Sequence, residues 1–131
     1  MESVRVERDL PGEPGEVFEW FVDPTMLSTW WPSEASTDAV VDGSYILHWS
    51  GPDVTLRGHY VAVDFGERLE FTWSWDHDDL PPRNVVVGFA TSPRGTIVTV
   101  DHEAETDDEG TDYIDGWTHF LGRLDARLSG G

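Results

Sequence analysis

Arg68-Leu69-Glu70-Phe71-Thr72-Trp73-Ser74-Trp75 decides the fold. Leu69, Phe71, Trp73 and Trp75 alternate with Glu70, Thr72 and Ser74, so one face is apolar and the other polar. A period of two over eight residues predicts a half-buried strand. Gly66-Glu67 marks a turn before it. Upstream, Val54 to Phe65 reads as a long strand with Gly58 in mid-course, where a bulge or tight bend is expected. Gly51-Pro52-Asp53 turns the chain, and Tyr45, Leu47 and Trp49 alternate with Ser44, Ile46 and His48. Asp42-Gly43 is a hairpin signal, and Ser36 to Val40 is a weaker strand. Downstream, residues 76–83 form an acidic loop with prolines. Asn84 to Thr91 and Thr96 to Ala104 then make a hairpin around Ser92-Pro93-Arg94-Gly95. Such strands pair into one antiparallel sheet with one apolar face.

Helices flank these strands. Ser3 to Leu10 alternates as a first strand, and Pro11-Gly12 ends it. Pro14 opens a helix whose apolar face is Val17, Phe18, Trp20 and Phe21, running to about Val22. Asp23-Pro24 is a new N-cap, and a short second helix ends at Trp30-Trp31-Pro32. At the other end, Tyr113, Ile114, Trp117, Phe120, Leu121, Leu124 and Leu128 form one helical stripe. Asp107, Asp108, Glu109 and Asp112 sit at its start, and Arg123 and Arg127 near its end, as the macrodipole favours. Gly116 and Gly122 lie inside it. They mark either a close approach to a strand or room left for a ligand.

Length and charge bound the function. At 131 residues, one domain over 1–131 is expected. No run approaches the ~18 apolar residues of a membrane helix, so no membrane role is expected. Met1-Glu2-Ser3-Val4 carries no basic leader region. The chain has no Cys, which excludes disulfides, thiolate metal sites and Cys nucleophiles. It has 26 acids against eight basic residues, all Arg, and a net charge of -18. Phosphate binding needs a basic face, so nucleic acid is not an expected partner. The acids spread along the whole chain, which points to a cytoplasmic protein adapted to high salt rather than to an acidic tail. A surface that docks a basic partner is the functional alternative.

Taken together, several short motifs resemble the START-like (SRPBCC, birch-pollen-allergen-like) superfamily. They are Val17-Phe18, Asp23-Pro24, Trp30-Trp31-Pro32, Gly58-x-Tyr60, Arg68-Leu69-x-Phe71-x-Trp73, Gly95-Thr96-x-Val98, His102 and Gly116-Trp117. The branch most similar is the one of activators of the 90-kDa heat-shock chaperone ATPase. Asp64-Phe65-Gly66-Glu67 stands where that pattern has a proline. The resemblance implies an α+β helix-grip fold: a curved antiparallel sheet of six to seven strands wrapped on a long C-terminal helix, with two short helices after the first strand. It also implies a cavity between sheet and helix. Members bind hydrophobic ligands there, carry out cyclisation or hydrolysis, or bind proteins, and fold alone does not choose among these.

The expected occupant is a small hydrophobic or aromatic molecule, held by Trp30, Trp31, Tyr45, Trp49, Tyr60, Phe71, Trp73, His102, Tyr113 and Trp117. Trp and Tyr suit such a pocket because their buried N–H and O–H groups need partners. Trp30 and Trp31 are expected at the cavity rim. His102 shares the parity of Val98 and Val100, so it points inward, either as a ligand-orienting or acid/base group or as a hydrogen-bonded core residue. His48, His59 and His119 are expected on the solvent side. Asp76-His77-Asp78-Asp79 has oxygen and imidazole donors but reads as a solvated acidic loop. No cofactor and no metal site is expected. No nucleophile elbow, zinc-helix motif or phosphate loop is present. The alternatives are a protein-interaction module similar to the chaperone activators and a cyclase- or hydrolase-like enzyme.

Overall fold

The computed structural model describes residues 2–130; Met1 and Gly131, the ends of the expected domain, lie outside the described residues. The chain runs β1 (Glu2–Pro11), α1 (Pro14–Val22), α2 (Pro24–Leu27), β2 (Glu34–Thr37), β3 (Ser44–Trp49), β4 (Val54–Asp64), β5 (Arg68–Trp75), β6 (Arg83–Thr91), β7 (Gly95–Ala104) and α3 (Asp107–Leu128). The strands form one antiparallel sheet in the order β1-β7-β6-β5-β4-β3-β2. Strands β2 to β7 are a meander, and β1 closes the far edge against β7. This is the helix-grip α+β fold, with seven strands.

The local causes are legible. Asp23 caps α2, its Oδ1 accepting from the backbone N–H of Thr25 at 2.9 Å and of Met26 at 3.1 Å. Thr106 caps α3, its hydroxyl oxygen accepting from Glu109 N–H at 3.1 Å. That cap starts the helix six residues before the apolar stripe does. α3 therefore has 22 residues and spans about 33 Å. Inward residues alternate along β6 and β7: Arg83, Val85, Val87 and Phe89 on one, Thr96, Val98, Val100 and His102 on the other, all buried. α3 rests on β1 and β7, and α1 on β6 and β7.

Four local expectations are corrected. The weak strand lies at Glu34–Thr37, not Ser36–Val40. The loop after it is longer than a two-residue hairpin, because only Asp42 takes a positive φ, 68°, where a type I′ turn needs two. The irregularity in β4 is not at Gly58. The register shifts between Tyr60 and Ala62, so Val61 is the bulged residue and side-chain parity reverses beyond it. Gly58 instead serves a close approach: a Cβ there would stand 2.1 Å from the carbonyl oxygen of Thr72. Ile114, placed in the apolar stripe by its spacing, is 39% exposed.

Candidate functional site

α3 packs on the β1–β7 edge of the sheet, so the inner face of β3 to β5 must be covered by side chains. Trp73 and Trp75 reach it from alternate positions of β5, Trp49 from the end of β3, and Trp31 from the segment after α2. Tyr113, Gly116, Trp117 and Phe120 approach from α3 at the i, i+3, i+4, i+7 spacing of one helical face. Together these residues line an open groove of about 440 Å³. Pro52, Val54, His77, Asp78, Leu80, Glu109 and Asp112 complete its lining. That volume falls within the size range of small-molecule sites.

Some wall rings are nearly parallel, Trp31 and Trp73 at 29°, and others are set at wide angles. Trp73 and Trp75 meet at 90° with centroids 5.7 Å apart, and Trp31 and Trp49 at 73° and 5.9 Å. Trp31 also lies 5.0 Å from Trp117. Gly116 forms the open part of the helical wall: a Cβ there would meet no atom within 4 Å. Of the two readings of this glycine, room rather than close approach is what the structure has. Trp73 adds a polar feature, because its Nε1–H is buried without a hydrogen-bond partner.

Five of the ten expected residues, Trp31, Trp49, Trp73, Tyr113 and Trp117, meet at this groove. Trp30 does not stand at its rim. It is fully buried, packs edge-on to Phe21 and donates its Nε1–H to Trp20 O at 3.0 Å. Tyr45, Tyr60 and Phe71 form a separate cluster deeper along the sheet. The void they share with Phe21, Leu27, Trp31, Leu47 and Leu69 is about 10 Å³, enough for about one water. Tyr45 donates its hydroxyl to Thr72 O at 2.5 Å. Burial holds the Tyr45 and Tyr60 phenols well above their usual range.

His102 stands behind the groove. It is fully buried, its ring stacked on Tyr113 at 3.6 Å and 4.5 Å from the Trp73 ring. Trp117 Nε1–H donates to its Nδ1 at 3.0 Å. Indole can only donate, so Nδ1 is the acceptor and the proton of the neutral ring is on Nε2. That Nε2 is buried without a partner. Burial pushes the His102 pKa down to about 3, against an opposing pull from Glu109. In this setting the ring has no free lone pair with which to accept a proton. Its geometric effect is to fix the indole of Trp117.

A charged cluster supports the same wall. Arg83, 3% exposed, donates in a fork to Glu109, with Nη2 to Oε2 at 3.0 Å, and its Nη1 donates to Pro81 O. Tyr113 donates its hydroxyl to Glu109 Oε1 at 2.8 Å. The Arg83 hydrogen bond holds the Glu109 carboxyl down, at a pKa of about 2. Burial, then the hydrogen bond to Glu109, push the Tyr113 phenol up. Arg83 and Glu109 were not among the expected residues. The signal was present: Arg83 has the inward parity of Val85 and Val87, and an inward Arg on an apolar strand needs an acid.

His59 and His119 are exposed as expected. His48 is half-buried on the outer face, its Nδ1 2.9 Å from Thr55 Oγ1. Asp76 pairs with Arg57, and no metal-holding cluster occurs among the described residues. No helix among the described residues is long and apolar enough to cross a membrane.

The sequence matches the profile of the family described as Activator of Hsp90 ATPase homolog 1-like protein over residues 12–129. No protein of curated function matches it. Among solved structures, protein CV1439 from Chromobacterium violaceum is 25% identical, with a TM-score of 0.82 and 98% of each chain covered. DynU16, a protein of the dynemicin biosynthetic locus, is 25% identical with a TM-score of 0.88, over 98% of this chain and 48% of that one. This chain thus spans about half of DynU16. The Aha1 dimer from Colwellia psychrerythraea has a TM-score of 0.83 at 16% identity, with 98% of this chain and 96% of that one covered. At that identity the likeness concerns the fold.

Proposed function

The chain belongs to the family of Activator of Hsp90 ATPase homolog 1-like proteins, and from that premise we propose that it binds a small hydrophobic or aromatic molecule in the groove between sheet and α3. The observation that carries this reading is the open, aromatic-walled groove of about 440 Å³. A filled core would close around Gly116; here a Cβ at that position faces open space. The Nε1–H of Trp73 is left unpaired in the groove wall, and a buried donor without a partner costs about 1–3 kcal/mol.

We place the protein in a high-salt cytoplasm. Eight Arg cannot neutralise 26 carboxylates, and salt screening removes the resulting repulsion, the Debye length falling to ~3 Å at 1 M. The test of the binding reading is a thermal-shift screen in about 2 M KCl against neutral, anionic and cationic aromatic and aliphatic compounds. A ligand at 100-fold its dissociation constant adds about 2.7 kcal/mol. A saturable shift that disappears in Gly116→Leu supports the groove as the site. No shift in a cooperatively melting protein removes the reading and favours a protein-interaction role.

A further inference from the structure

The charge around the groove is as one-sided as its walls are aromatic. Among the described residues, its lining contains Asp78, Glu109 and Asp112, one imidazole, His77, and no Arg, and the chain has no Lys. Asp112 is exposed, and Asp78 is half-buried, its Oδ1 accepting from Leu80 N–H at 3.1 Å. Glu109 is already engaged by Arg83, which stands behind the wall and not in it. The field along the groove is therefore negative, set within a protein of net charge -18. A carboxylate or phosphate entering here would lose its hydration and gain no permanently charged cation in return.

The rings behave oppositely. An aromatic face carries negative charge density and an aromatic edge positive density. Trp49, Trp73, Trp75 and Tyr113 bound the groove at mutual angles of 49° to 90°. A compact cation can thus meet more than one ring wall in a single position. Such contacts contribute ~0.5–1 kcal/mol at exposed sites and about 2 when desolvated. Apolar walls alone would accept anionic, neutral or cationic ligands according to shape. Aromatic walls with acids in the lining select among them.

We infer that the groove takes an organic cation, an aromatic or alkylated ammonium compound, and rejects the carboxylates that an apolar pocket would otherwise accept. This rests on the ligand-binding reading above and names the ligand's charge. The probes are three naphthalenes of one shape: naphthylmethyl-trimethylammonium, naphthalenemethanol and naphthylacetate. Their affinities are measured by calorimetry in about 2 M KCl, where screening removes long-range attraction and leaves contact with the rings. The ammonium is expected to bind about tenfold more tightly than the alcohol, and the carboxylate most weakly. Trp75→Leu, which removes one half-exposed wall, should reduce the ammonium's advantage over the alcohol, and an unchanged advantage would overturn the assignment of that wall to the cation. If that variant fails to melt cooperatively, Asp112→Asn in the exposed lining should narrow the gap between ammonium and carboxylate at low salt. Equal binding of all three, or tighter binding of the alcohol or carboxylate, overturns the cation assignment and leaves the ligand groove standing. Binding of none overturns both.

Discussion

His102 shows how one buried side chain couples the site to pH. Unfolded, it takes up a proton near pH 6.5; folded, it stays neutral down to about 3. Protons therefore favour the unfolded chain between those values. Its contribution to stability is intact above pH 6.5 and falls by up to about 1.4 kcal/mol per unit as pH drops towards 3. Glu109 adds a second loss, which begins below about 4.5 and ends near 2, because its folded pKa is depressed. The acidic surface responds in the opposite direction, so the informative quantity is a difference. His102→Asn keeps an acceptor for Trp117 Nε1–H and removes the titration. The gap in melting temperature between the wild type and this variant should shrink from pH 7 to pH 5. A constant gap would contradict the buried neutral His. Two glycines give a complementary pair of predictions. Gly116→Ala, with open space at its Cβ, should stabilise α3 by about 0.5–1 kcal/mol. Gly58→Ala, with a carbonyl oxygen 2.1 Å from its Cβ, should destabilise clearly. Thermal melts in high salt check both.

At the scale of elements, α3 is tied to the sheet near both ends. Arg83 of β6 holds Glu109 in its first turn, and Arg8 of β1 and Arg94 both hold Asp125 in its last. The two ties differ in strength. Arg94 is 44% exposed and Arg8 38%, so their pairs contribute about 0–1 kcal/mol each and weaken in salt. Arg83 is buried, and removing one partner of a buried pair costs about 3–5 kcal/mol. Arg83→Met should therefore destabilise by about 3 kcal/mol in high salt, and Arg94→Met by less than about 1, as chemical denaturation would report. Period and capping are local signals, which is why β5, α1, the Asp23 cap and the general course of α3 were legible in the sequence. Packing is not local. Alternation places Trp73 inward, and the helical stripe places Tyr113 and Trp117 inward, but neither can say that α3 favours the β1–β7 edge. That placement puts Trp31 and Trp49 on the groove and seals Trp30, Tyr45, Tyr60 and Phe71 elsewhere. Trp75 and Phe120 are in the apolar pattern too, and only the position of the helix makes them walls. The bulge at Val61 has no signature in residue type, whereas Gly58 draws attention for a different reason.

At the scale of the whole molecule, two properties meet: an acidic surface and an aromatic groove. Six of the eight Arg, at 5, 8, 57, 68, 83 and 94, are in ion pairs with Asp or Glu. Even so, the acidic surplus remains large. The melting temperature should climb steeply between about 0.1 and about 2 M KCl as screening proceeds; a flat profile would contradict the salt adaptation. Groove and surface are independent in this respect, because ring contacts do not depend on the Debye length. Five of the seven Trp, at 31, 49, 73, 75 and 117, line the groove, so a bound molecule must alter their environment. The most direct measurement follows intrinsic tryptophan fluorescence during titration with an aromatic ligand from the screen, in about 2 M KCl, for the wild type and for Gly116→Leu. A saturable change in the wild type that is abolished in a folded Gly116→Leu protein is the predicted result. Saturable binding that is undiminished in Gly116→Leu would contradict the assignment of the groove between sheet and α3 as the ligand site.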